Sequence, residues 1–235
     1  MKWNVWRGIG LFVVAGILGC RETKSSEYIH TREIIELTQV VAEASDKALV
    51  SVSLRTDGVN GTYVELAPGD TLEVSAGALT KELKAISSGT YQATLGTGAG
   101  VDFTVDLDRA EEPDAPQSFG TLPMPFEITA PAADDVVSRA SDDLVVRWDT
   151  MEDVAGALHI TGPCIAEYSA ELDGLAGAFT LGMGELTSTD PQQPGSCVVD
   201  LEVSFSRVGQ PDPMLNPDST FQGTQVRKVT IQSEP

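Results

Sequence analysis

His30 and His159 are the only imidazoles in 235 residues, so chemistry is sought there first. A nucleophile–histidine relay needs a serine presented on a sharp elbow beside its base, and no Gly-x-Ser-x-Gly occurs. His159 alternates with Leu158 and Ile160 and so faces away from the side those two bury, while His30 lies in a polar N-terminal stretch. Neither His-Glu-x-x-His nor Cys-x-x-Cys is present, which leaves no zinc motif. The run from Gly96 to Gly100 has the composition of a phosphate cradle, but that chemistry needs a helix directly afterwards. Val101 begins a strand pattern instead, so the run is a turn. Carboxylates come in pairs: Asp106 with Asp108, Asp134 with Asp135, Asp142 with Asp143, Asp149 with Asp153. Calcium takes about six to eight oxygens, and acidic loops at the end of a sandwich can supply them. No Asp-x-Asp-x-Asp-Gly run exists, and the pairs read as solvated surface. No catalytic residue, metal ligand or cofactor is expected.

The three cysteines carry more. Cys164 and Cys197 have no histidine or second cysteine at ligand spacing. In an exported chain they read as one disulfide, against the alternative of a metal-binding or nucleophilic thiol. Closing a loop of 33 residues, the bond is worth roughly 3 to 4 kcal/mol on chain-entropy reasoning. Cys20 ends Ile17-Leu18-Gly19-Cys20, behind Lys2, Arg7 and an uncharged run from Gly8 to Leu18. That charge-then-apolar order is a secretory signal, and the run is too short for the roughly 20 residues of a membrane-spanning helix. An ordinary signal peptide or signal anchor, with Cys20 incidental, is the other reading. Ile17 does not suit a plain cleavage site, which wants a small residue there. A small residue before a cysteine at this point resembles the lipobox of bacterial lipoproteins. The resemblance implies that the Cys20 thiol takes a diacylglycerol and that cleavage before it makes Cys20 the first mature residue. Arg21, where an aspartate would retain such a protein at the inner membrane, points to the outer membrane.

Composition bounds the mature part. Losing Lys2 and Arg7 takes the net charge from −20 to −22. Such a surface repels nucleic acid and anionic headgroups. A hydrophobic fraction of 41% is ample for packed cores.

The elements follow from period-two alternation. Residues 20–32 read as a polar tether. Strands are expected over 33–42, 48–55, 63–66, 71–75, 79–86, 91–95 and 101–107, separated by Gly, Asn and Pro turns. They form a first sandwich over 33–110. Four prolines (Pro113, Pro116, Pro123, Pro125) mark 111–125 as a stiff, extended linker. A second sandwich over 126–235 has strands at 126–130, 144–148, 158–160, 179–181, 197–205 and 227–231. About seven strands around the one buried tryptophan, Trp148, resemble an immunoglobulin-like or fibronectin-type module. The expected fold is thus all-β, with two tandem antiparallel sandwiches behind a signal peptide (1–19). Taken together, the precursor resembles secreted bacterial lipoproteins built from tandem sandwiches. That resemblance implies a non-catalytic envelope module, held to the membrane by lipid, with an envelope protein or a glycan as partner. A calcium-stabilised carbohydrate-binding module and a hydrolase whose carboxylates meet only in three dimensions are the alternatives. The first is weakened by few aromatics, since Trp3, Trp6 and Phe12 leave with the signal.

Overall fold

The computed structural model describes residues 23–44, 46–96, 100–190, 192 and 195–235. Cys20 and the signal segment lie outside the described residues, as do Thr97 to Ala99 of the glycine-rich turn. Among the described residues ten strands build the first unit: β1 (Thr23–Ser25), β2 (Ile35–Ala44), β3 (Lys47–Thr56), β4 (Thr62–Glu65), β5 (Thr71–Ala76), β6 (Leu79–Glu82), β7 (Lys84–Ser87), β8 (Thr90–Gly96), β9 (Asp102–Asp108) and β10 (Ala115–Thr121). Eight build the second: β11 (Ile128–Ala130), β12 (Val136–Ser138), β13 (Leu144–Trp148), β14 (Ala155–Thr161), β15 (Tyr168–Asp173), β16 (Ala178–Leu181), β17 (Cys197–Val208) and β18 (Thr220–Glu234). The protein is all-β, with two tandem sandwiches.

In the first unit the sheet β10-β9-β5-β6 faces one built on β2, β3 and β8. Val50, Val52 and Leu54 from β3 meet Leu72, Val74, Phe103 and Val105 from the opposite sheet. In the second unit β11-β13-β16 faces β18-β17-β14-β15. There Phe205 stands edge-on to Phe126 with ring centroids 4.9 Å apart and lies 5.4 Å from Trp148.

The two sandwiches are not separate. β18 pairs in parallel with β2, from Thr220 opposite Leu37 to Gln225 opposite Ala42, and antiparallel with the whole of β17, from Gln222 opposite Val208 to Ser233 opposite Cys197. One eleven-stranded sheet therefore runs through both units. Phe221 and Leu215, from the far end of the β17–β18 hairpin, are buried in the first core. The last strand was expected at 227–231 because its early half reads Thr220-Phe-Gln-Gly-Thr-Gln225, which shows no apolar alternation. Its Gly223 and Gln225 are buried all the same, because neighbouring strands cover both sides.

Three further expectations are corrected. Residues 115–121 of the supposed linker form β10, antiparallel to β9. Pro116 is tolerated because β10 is the edge of its sheet and the register shifts between Ala115 and Ser118, a bulge that needs no ladder donor from proline. Leu122 belongs to the first core and Phe126 to the second, so the passage between cores is only residues 123–125. The supposed tether 20–32 is folded from Thr23 onward: β1 pairs with β4, and Ser26 and Thr31 are buried. The single strand expected over 79–86 is two, broken at buried Leu83, whose N–H donates to the Leu72 carbonyl at 2.8 Å. β12 and β15 were not expected; β12 is three residues long, and β15 is an edge strand of alternating Ser169, Ala170, Glu171 and Leu172.

Chain direction gives the body two poles. β2 runs parallel to β18 and so towards the second unit; β3 returns, and β4 and β1 run with β2. Thr23 and the turn from Asp57 to Gly61 thus occupy the pole farthest from the second unit. The opposite pole holds the ends of β14 and β18 and the start of β17.

Candidate functional site

The joint is held by buried polar groups as well as by Phe221. Glu36 shares the inward face of β2 with Thr38, Val40 and Ala42 and is fully buried. Its N–H donates to Ser219 Oγ at 3.0 Å, and Thr38 Oγ1 donates to its Oε1 at 2.9 Å. Oε2 has no partner. From the hairpin, Asp212 accepts from the Gln117 N–H at 2.8 Å, and its own N–H donates to Ser118 Oγ at 3.0 Å. Burial pushes the Glu36 carboxyl up from 4.5 to about 7; hydrogen bonds from Thr38 and Ser118 oppose the rise, and the charge of Asp212 adds to it. The unfolded chain therefore releases this proton at lower pH than the folded one. Stability falls as pH rises from about 4.5 to 7, by about 3 kcal/mol from this group, and is flat above. Glu36→Gln keeps the acceptor and removes the charge, so urea midpoints of the variant should decline less steeply across that window than those of the parent. Equal slopes for the two would contradict the assignment.

The distal pole is the candidate binding surface. Cys164 and Cys197 are joined there, with Cα atoms 5.8 Å apart, as the sequence suggested. Arg139 is buried beside them. Its guanidinium donates to Ser233 Oγ at 2.7 Å and to the Gly195 carbonyl at 2.8 Å, and it touches Cys164 Sγ at 3.5 Å. This staple fixes the start of β17 against the loop after β14. Over it, Arg139, Ala140, Gly184, Leu186, Thr187 and Pro235 line a mainly apolar pocket of about 390 Å³. Nothing in the sequence pattern signals the pocket, because its walls come from three segments far apart in the chain.

Four of the paired carboxylates accept from backbone N–H groups. Asp135 accepts from the Ala132 N–H, Asp142 from Ser138, Asp143 from Met183 and Asp149 from Glu127, at 2.7 to 3.0 Å. Asp135 and Asp142 cap their own turns, while Asp143 and Asp149 tie segments distant in the chain, and none of these bonds points to an ion. The Asp106 carboxyl is raised by partial burial and then by Asp108, Asp114, Glu73 and Asp212. Among the described residues no group of three or more His, Cys, Asp or Glu is placed to hold a metal ion.

His159 does face outward, and it bridges two neighbours: Nδ1 lies 2.9 Å from Ser169 Oγ and Nε2 3.2 Å from Glu167. Serine, histidine and carboxylate in that order resemble a hydrolase relay. These three sit on the open face of the β14–β15 pair, where His159 and Ser169 are simply cross-strand partners. The His159 and Glu167 side chains are 40% and 69% exposed, so water competes for every bond such a relay would need. At the other end of the body His30 pairs with Glu112 at 2.9 Å beside a smaller pocket.

Sequence reasoning also missed Arg109. Its guanidinium is 1% exposed, pairs with Asp70 at 2.8 Å, and donates to the Ser26 and Ile29 carbonyls at 2.7 and 3.2 Å and to Thr31 Oγ1 at 3.3 Å. It locks residues 26–31 onto the first unit. An arginine ending an apolar strand pattern is ordinary, so no local signal marked it.

No family model matches this chain, and no curated protein matches it by sequence. Among solved structures it is similar to a chain of a cytokine receptor complex (crystal form 1A) at 11% identity, over 82% of this chain and 94% of that one, with a TM-score of 0.30. It is also similar to a two-domain fibronectin type-III segment from chicken tenascin at 10% identity, over 86% and 99%, with a TM-score of 0.26.

Proposed function

We propose that this is a lipid-anchored protein of the bacterial cell envelope, its body a non-catalytic binding or structural module held as a rod above an outer membrane. One observation carries the reading: Thr23, three residues after Cys20, is already in a strand at the pole farthest from the second unit. Three residues span at most about 10 Å, so a lipid on Cys20 would hold that pole against the bilayer and the other away from it. Two or more acyl chains anchor stably at about 0.8 kcal/mol per buried methylene. The shared sheet keeps the rod from folding back on its linker, and the partner, an envelope protein or a glycan, would meet the distal pole.

The test is Cys20→Ala in the native precursor. The parent should incorporate labelled palmitate and sediment with membranes, and the variant should do neither. A variant that still sediments, from a parent that takes up no label, would end the lipoprotein reading.

A further inference from the structure

We propose that the distal tip of the second sandwich binds a cationic peptide segment of a partner protein, taking one large apolar side chain into the pocket over Leu186. The inference deepens the binding reading above and does not need the lipid anchor. Its first support is shape. The open pocket of about 390 Å³ has room to spare for a leucine-, methionine- or phenylalanine-sized group, and its floor, Leu186, is buried while Ala140, Gly184 and Thr187 are exposed around the mouth. Met183, 61% exposed, stands beside Gly184 as an adaptable apolar contact.

Its second support is charge complementarity. Residues 126 to 200 contain fourteen Asp and Glu against two basic residues, Arg139 and Arg147. Arg139 is buried and aimed inward at Ser233 and Gly195, so it adds no donor at the rim. Asp142, Asp143 and Glu185 are exposed around the mouth, and each is fixed by a backbone N–H: Ser138 at 2.8 Å, Met183 at 3.0 Å and Gly182 at 2.8 Å. Carboxylates already held in place lose little freedom when a lysine or arginine reaches them. A negative field around a low-dielectric mouth attracts cations and repels anionic lipids. A second copy of this chain, also strongly negative, is repelled too. A sugar would want an aromatic platform, and the lining contains no aromatic ring.

The test uses the mature chain from residue 20, carrying Cys20→Ala and uniformly ¹⁵N-labelled, with three capped pentapeptides as probes at low salt. These are leucine flanked by two lysines on each side, alanine in the same frame, and leucine flanked by glutamates. The lysine–leucine peptide should shift the amides of Ala140, Gly184 and Thr187 saturably, with a dissociation constant of about 1 mM or lower. The alanine peptide should bind at least about tenfold more weakly, and the glutamate peptide should leave those amides unmoved. Ala140→Trp should abolish the shifts by filling the mouth. Asp143→Asn with Glu185→Gln keeps both oxygens that accept from the backbone and should weaken binding several-fold, with a shallower salt dependence. Absence of a saturable shift, equal binding of the leucine and alanine peptides, or binding of the glutamate peptide would each overturn the proposal. Because the protein is unacylated here, failure of anchoring leaves this result untouched, and failure here leaves the anchoring test intact.

Discussion

Phe221→Ala should destabilise the entire protein by about 3 to 5 kcal/mol, the range for removing a fully buried phenylalanine. The ring is 1% exposed in the first core, although its strand ends in the second unit. It is seated between Gly120 and Gly209, where an added Cβ would come within 2.6 and 2.8 Å of it, so glycine alone lets the strands approach this closely. Those glycines have no side chain with which to fill the space the ring leaves. β18 is bonded to both units, and the damage should therefore appear as one urea transition at a lower midpoint with an unchanged slope. Two transitions, with only one shifted, would mean that the sandwiches unfold independently.

Arg109→Ala should be of comparable size, about 3 to 5 kcal/mol, because it strands Asp70, itself only 4% exposed, without its cation. Asp70 would keep hydrogen bonds from Ser26 Oγ and the Ala110 N–H, which limit the cost without supplying charge. The loss also has a place. Residues 26–31 lose three of their ties to the body, so their amides should exchange early and trypsin should cut after Arg32 before it cuts elsewhere. Arg109→Lys should recover only part, since a single ammonium cannot reach the Asp70 carboxylate, two carbonyls and the Thr31 hydroxyl together. A variant with native protection over 26–31 would show that β1 and the bonds of Ser26 Oγ and Thr31 Oγ1 to Asp70 and Pro113 hold the segment without Arg109.

Period-two alternation made most strands legible, because Val50, Val52, Leu54 and Val101, Phe103, Val105 point one way and their polar neighbours the other. It failed where burial does not depend on apolar side chains. β10 buries Ala115, Ser118 and Gly120, and β18 begins with Gly223 and Gln225 inside. Small and amide residues pack there because two elements press close, a relation between distant segments that no local window contains. Prolines misled for a definite reason: Pro116 lies on an edge strand at a bulge, the one sheet setting that tolerates it. The disulfide was legible by elimination. The joint, the Arg109 clamp and the distal pocket were not, since each is assembled from segments up to about a hundred residues apart or more.

In the proposed arrangement the body is a rigid rod, with a lipid on Cys20 at one pole and the binding surface at the other. With Cys164 and Cys197 paired and Cys20 acylated as proposed, Asn60→Cys or Met183→Cys would supply a single free thiol for a fluorophore. Asn60 is in the turn between β3 and β4 at the first pole, and Met183 is at the tip. In vesicles carrying a headgroup-bound quencher, the label at residue 60 should be strongly quenched and the label at residue 183 should emit as it does in detergent. Equal quenching at both positions would contradict the account.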